Sequence, residues 1–203
     1  MSGIENSNIR YETTVRAQYY CLITGFDDNG KPVYDEKVYK NEALVNVKPA
    51  VTAPTLDIWA SGKLFDQRLK RKATALEVTA IGMPKEIFNP AQGIETVGGF
   101  AFEKEKPERK HFAWGYVVEF DDGSYGFRWY GDCVMGQFDG ESKTETNDLN
   151  EPNSVYSFLA VPHNGNTKTD YFTGDVAEGE TALTEEQFFK APILCKEDIP
   201  EQA

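Results

Sequence analysis

Two histidines, His111 and His163, and three cysteines, Cys21, Cys133 and Cys195, are the side chains of this 203-residue chain best suited to nucleophilic, acid–base or metal chemistry. Their spacing argues against all three. The cysteines form no C-x-x-C pair and neither histidine lies close to one, so separate reduced thiols are predicted rather than a zinc site or disulfide framework. Cys133 and His111 both fall near the open end of a predicted hairpin. The expected register sets Phe112 opposite Cys133, however, and turns His111 to the other face.

The stretch FDDNGKPVYDE superficially resembles a calcium loop. Such a loop needs an acidic ligand five residues before its glycine, and Gly25 occupies that position, so a hairpin turn is expected instead. No Gly-x-Ser-x-Gly elbow, phosphate-cradling glycine loop or dinucleotide fingerprint occurs. With 33 acids, coincidental carboxylate pairs are inevitable and uninformative. The chain reads as a non-enzyme without cofactor or metal.

The strongest local pattern is the hairpin itself, from Phe112 to Cys133. Asp122-Gly123 suits a two-residue type I′ turn, which needs φ > 0 at both central positions. That turn would pair Phe120 with Tyr125, Val118 with Phe127, Tyr116 with Trp129 and Trp114 with Gly131. Phe112, Trp114, Tyr116, Val118, Phe120, Tyr125, Phe127 and Trp129 would then share one apolar core face. Glu119, Arg128, Tyr130 and Asp132 would lie on the other.

Around the hairpin, short strands are expected at Ala17–Thr24, Pro32–Tyr39, Leu44–Val47, Thr55–Trp59, Thr74–Gly82 and Ser154–Val161. Pro49 and Pro54 bracket a segment unsuited to central sheet. Residues 62–72 read as a polar, basic connection carrying Lys63, Arg68, Lys70, Arg71 and Lys72. Pro84 to Phe88 reads as a short helical turn. Residues 163–179, rich in Asn, Gly and Thr, read as a long loop. Thr184-Glu185-Glu186-Gln187 fits a capping box opening a short helix to about Ala191.

Length and a 40% hydrophobic composition fit one folded domain over residues 1–165, followed by an acidic segment, 166–203, that is not an independent domain. The polar start MSGIENSNIR predicts no secretory signal, and no apolar run approaches a membrane span. The net charge of −12 is concentrated after residue 138, where 14 acids face 4 bases. Such a field disfavours capture of nucleic acid phosphates. The run Arg68–Lys72 is the one basic exception, read as a solvated loop or salt-bridging interface.

Over roughly Tyr19 to Val161 the chain resembles the major tail tube proteins of siphophages, the family typical of phages and prophages of Gram-positive bacteria. The resemblance is carried by YYCLITGFDDNGKPVYDEKVYKNEALVNVKP, LDIWASGK, ATALEVTAIGMPKEIFNPAQG and FAWGYVVEFDDGSYGFRWYGDCVMG, taken in order. Met83-Pro84-Lys85-Glu86 sits at the family's strand-to-helix step, and Phe112-Ala113-Trp114-Gly115 matches a later strand. Ala60-Ser61-Gly62 replaces the family's usual acidic pair, and residues after about Val161 have no counterpart.

The resemblance implies an antiparallel β-sandwich or barrel with a short flanking helix and a C-terminal arm. It implies self-assembly into six-membered rings stacked as the conduit for DNA ejection. The partners would be further copies of the chain and the tape measure, tail terminator and distal tail proteins. Double-stranded DNA would pass through the lumen without specific binding, in a virion assembled in the host bacterial cytoplasm, with no membrane involved. Segments 45–59 and 62–72, with Pro49, Pro54, Trp59, Lys63, Arg68, Lys70, Arg71 and Lys72, are the expected subunit contacts. The competing reading is a non-catalytic carbohydrate-binding β-sandwich, in which Trp59, Trp114 or Trp129 would stack on sugar rings. Alternation of these aromatics along paired strands instead predicts core positions.

Overall fold

Alternating apolar residues and frequent Gly/Asn/Asp turns fold the chain into a mainly β structure. A computed structural model describes residues 9–52, 55–60, 63–69, 73–138, 153–163, 166–177 and 179–200, with 51–52, 55–60 and 63–69 described by their backbone. Strands run Glu12–Phe26 (β1), Pro32–Asn41 (β2), Leu44–Thr52 (β3), Thr55–Ala60 (β4), Lys63–Leu69 (β5) and Ala73–Ala80 (β6). After helix α1 (Lys85–Gln92) come Glu95–Val97 (β7), Phe100–Phe102 (β8), Phe112–Phe120 (β9), Tyr125–Met135 (β10), Ser154–Ala160 (β11) and Lys168–Phe172 (β12). Helix α2 (Glu185–Phe188) follows.

An eight-stranded antiparallel sheet dominates, in the order β2-β1-β9-β10-β11-β6-β3, with β12 also paired to β10. Strands β4 and β5 form a separate pair, as do β7 and β8. Two clusters of apolar side chains lie against the sheet. The first gathers Tyr20, Leu44, Leu76, Val78, Phe112, Trp114, Tyr116, Tyr130, Met135 and Phe158, and α1 inserts Ile87 and Ala91 into it. The second sets Ala17, Tyr19, Ala113, Val117, Phe127 and Trp129 against Leu183, Phe188, Phe189 and Ile193. Residues 183–198 thus form a strap that covers the second face.

Burial of both faces explains why β9, FAWGYVVEF, is apolar almost without alternation. It also corrects the expected register. The Phe120 amide donates to the Ser124 carbonyl at 2.9 Å, and Gly123 in the turn has a φ of 79°. The loop is therefore the three residues 121–123, with Gly at the left-handed position, instead of a two-residue turn. Tyr125 pairs with Glu119, Phe127 with Val117, Trp129 with Gly115 and Tyr130 with Trp114.

One residue of slip sends alternate side chains to opposite faces. Phe112, Trp114, Tyr116, Val118 and Phe120 enter the first cluster; Phe127 and Trp129 enter the second, with Tyr125 packed at its edge. Arg128 lies beside Tyr116 rather than across the sheet from it, donating to its hydroxyl at 2.9 Å. A bulge after Tyr130 restores the expected pairing of Cys133 with Phe112.

Other elements also depart from expectation. Residues 63–69 are strand β5, not a connection, and β12 lies inside the segment read as a loop. Helix α1 runs on to Gln92 with Pro90 inside it and Pro84 at its N-cap; α2 stops at Phe188. The α2 capping box is present, with the Thr184 amide donating to Gln187 Oε1 at 2.9 Å and the Gln187 amide to Thr184 Oγ1 at 3.3 Å. The turn at Asp27–Lys31 is a hairpin turn, in which Asp27 Oδ1 accepts from the Asn29 and Lys31 amides. Among the described residues no helix is long and apolar enough to cross a membrane.

Candidate functional site

Two places in the fold exceed what packing alone requires. The first is a long hairpin. Strands β3 and β6 pair from Leu44↔Ala80 to Thr52↔Ala73, and β4 and β5, the next strands inward in sequence, form a second antiparallel ladder from Thr55↔Leu69 to Ala60↔Lys63. Its base belongs to the main sheet, whereas its distal half is a two-stranded ribbon. β3 ends the sheet, so Pro49, which lacks an amide donor, occupies an edge strand and is exposed.

Four of the eight anticipated contact residues, Pro49, Trp59, Lys63 and Arg68, fall on this hairpin. Trp59 lies on β4 opposite Leu64, Lys63 on β5 opposite Ala60, and Arg68 opposite Leu56. Pro54, Lys70, Arg71 and Lys72 lie outside the described residues. The structure therefore brings the two anticipated segments into one paired element.

The second place is a buried carboxylate. Asp132 sits in the β10 bulge, 1% exposed, where β10 ceases to pair with β12 and begins to pair with β11. His111 Nδ1 lies 2.7 Å from Asp132 Oδ1, and His163 Nε2 lies 2.6 Å from Oδ2. Both histidines of the chain thus converge on one acid. The Phe26 ring packs edge-on to His111 and stacks on His163, with centroids 5.6 and 5.8 Å away.

An ionised carboxylate only accepts, so a ring nitrogen that faces one is the donor. The carboxylate is consumed by the two rings, and no cluster of three or more His, Cys, Asp or Glu suited to a metal occurs among the described residues. Cys133, next in the chain, is completely buried, and burial pushes its thiol well above the ordinary range, which removes the thiolate a nucleophile needs.

Sequence reasoning missed this cluster. Both histidines stand apart from the cysteines in sequence, His111 faces away from Cys133 in the expected register, and His163 opens a segment that reads as a loop. The available signal was Asp132 itself, an acid amid the aromatic and small residues of β10, which requires partners once that strand is buried.

A groove of about 440 Å³ runs beside β1, lined by Thr14, Arg16, Lys40, Glu42, Leu44 and Glu185 among others. Its charges are paired: Lys40 Nζ lies 3.1 Å from both Glu42 and Glu185, Tyr19 donates to Glu185, and Arg16 lies 3.5 Å from Glu119 outside the groove. Burial works to raise the Glu185 carboxyl, but the Tyr19 and Lys40 hydrogen bonds outweigh it and hold the group low. Each charged side chain of the groove wall thus already has a partner.

No protein-family model matches the chain, and no curated protein matches it either.

Proposed function

We propose that the protein is a structural subunit of a phage tail tube, a β-sandwich or barrel that assembles into stacked six-subunit rings forming the conduit for DNA ejection. The observation that supports this best is the hairpin Leu44–Ala80, whose distal β4–β5 ribbon has, among the described residues, only its own pairing. Two-stranded ribbons are marginal alone, and their outer edges present unpaired backbone groups. A neighbouring subunit that pairs with or packs on the ribbon satisfies both needs. The paired charges of the groove and the burial of Cys133 favour a role in assembly over catalysis.

A net charge of −12 suits a lumen that repels phosphates, letting DNA slide without capture. The remaining partners are the tape measure, tail terminator and distal tail proteins, in a virion assembled in the bacterial cytoplasm. The sugar-binding alternative loses two of its platforms, because Trp114 and Trp129 are both 0% exposed.

Electron microscopy of concentrated protein tests the reading, comparing wild type with a variant whose residues 55–69 are replaced by Asn-Gly. Rings or tubes from wild type and folded, unassembled variant are expected. A wild type that forms no oligomer even with its tail-assembly partners overturns the proposal.

A further inference from the structure

The His111–Asp132–His163 cluster ties together three segments distant in sequence: the residue before β9, the bulge of β10 and the β11–β12 connection. It also adjoins the strap. Gly131, next to Asp132, lies so close to Leu194 that a Cβ there would meet Leu194 Cδ2 at 2.2 Å. The Gly131 carbonyl accepts from the Tyr34 hydroxyl at 2.9 Å. On the other side, His163 and Asn166 exchange backbone hydrogen bonds of 2.8 Å, and Asn166 Nδ2 donates to the Leu194 carbonyl at 3.1 Å. The strap at Leu194 thus rests on both flanks of the cluster.

We propose that His111, Asp132 and His163 form a proton-operated clasp that sets how firmly the C-terminal strap is seated on the sheet. Imidazole is the side chain that ordinarily changes charge between pH 5 and 8. The nitrogen facing Asp132 donates in either state, so an added proton goes to the outward nitrogen and makes the hydrogen bond charge-assisted. A carboxylate buried as deeply as Asp132 is costly to hold against neutral donors alone. Mild acid therefore tightens the clasp, and rising pH eases it.

Several ionisable groups around the cluster are held away from neutrality. Burial pushes the Tyr34 phenol and the Cys133 thiol up. At the end of the strap, Lys31 Nζ lies 2.7 Å from Asp198 and 3.5 Å from Cys195 Sγ. The hydrogen bond to Asp198 raises Lys31; burial works to raise Asp198, but Lys31, Cys195 and two backbone amides outweigh it and hold that carboxyl low. Asp198 also raises the Cys195 thiol. Asp27 and Lys110 are the charged neighbours in sequence of Phe26 and His111.

The test is hydrogen-exchange protection of residues 183–195 in the full chain at pH 6 and pH 8, corrected for the intrinsic pH dependence of exchange. Wild type is expected to lose protection about fivefold at pH 8, the size of exchanging one charge-assisted hydrogen bond for a neutral one. The double variant His111→Asn, His163→Gln keeps a donor at each position without the titration, and its two values should agree. Asp132→Asn, which removes the charge, serves as a second variant should the double variant fail to fold, and should also lose the pH response. Equal wild-type protection at both pH values, or an unchanged response in the folded variants, overturns the clasp.

Discussion

Trp129 Nε1 donates to the Phe188 carbonyl at 3.3 Å, so the residue that fills the second face of the sheet also fastens the strap that covers it. Its ring packs on Phe189 at 5.2 Å, and Phe189 in turn stacks on Tyr19 at 3.9 Å. Strap and sheet therefore share one aromatic layer.

Trp129→Ala should destabilise the protein by about 3–5 kcal/mol, since it leaves a cavity that the paired strands cannot close. Trp129→Phe keeps part of the ring but loses the donor, and about 1–2 kcal/mol is expected. Chemical denaturation of both variants checks the order. An unchanged midpoint for the alanine variant would contradict the burial of Trp129.

Gly115 and Gly131 separate rigid neighbours from yielding ones. A Cβ on Gly115 would lie 2.6 Å from the Arg128 carbonyl oxygen, which belongs to the paired backbone. Gly115→Ala should therefore cost about 1–3 kcal/mol or more through strand displacement. At Gly131 the nearest obstacle is the end of the Leu194 side chain. Gly131→Ala should cost less overall and raise exchange of the strap selectively, a contrast that hydrogen-exchange mapping reads directly.

Much of the sheet was legible because its strands carry strong apolar and β-branched runs bounded by turn residues. β1, β2, β6, β9, β10 and β11 fall where such runs stand. The hairpin register was not, because Asp121-Asp122-Gly123 accommodates either loop length and both faces of β9 are apolar. Alternation chooses a register only when one face is polar. β12 escaped because KTDYF is short, largely polar and flanked by Asn and Gly. The strap was legible only at its capping box, since contact with Tyr19 and Trp129 depends on tertiary folding. For the same reason the meeting of His111 and His163 at Asp132 left no local pattern.

The Lys31–Asp198 pair at the end of the strap predicts an acid-sensitive contact. Asp198 is held below the ordinary carboxyl value, so its contribution is present above that value and lost as pH falls through the lowered one. Asp198→Asn should lower the unfolding midpoint at pH 7. The difference from wild type should shrink progressively below about pH 4, where the ordinary carboxylate begins to protonate. A constant difference down to pH 2 would show that packing, not charge, is what the substitution removes.

The thiols should differ in reactivity. Burial pushes Cys21 up to about 12 and Cys133 well above its usual range, and both are 0% exposed. Cys195 is partly exposed, although Asp198 raises its thiol as well. Titration with a disulfide reagent at pH 8 should find one slowly reacting thiol in the native protein and three after denaturation. Fast reaction of two or three thiols in native protein would contradict the burial of Cys21 and Cys133.

Assembly through the long hairpin makes a last prediction about salt. Lys70, Arg71 and Lys72 follow β5 directly in sequence, while the region after residue 138 supplies most of the excess acid. Attraction between the basic run of one copy and the acidic region of another would guide the approach of subunits. Each exposed pair contributes only about 0–1 kcal/mol and is screened beyond about 8 Å at physiological salt. Strand pairing and apolar burial must therefore provide most of the stability, with charge setting rate and register. Reversing all three cations to glutamate should slow tube growth at low salt while leaving the subunit folded, and raising salt should narrow the difference from wild type by slowing wild type. Light scattering of the two proteins across a salt series, with micrographs at the end points, measures this. Equal growth at low salt would remove the basic run from the interface, and a deficit independent of salt would mean that shape rather than charge had been lost.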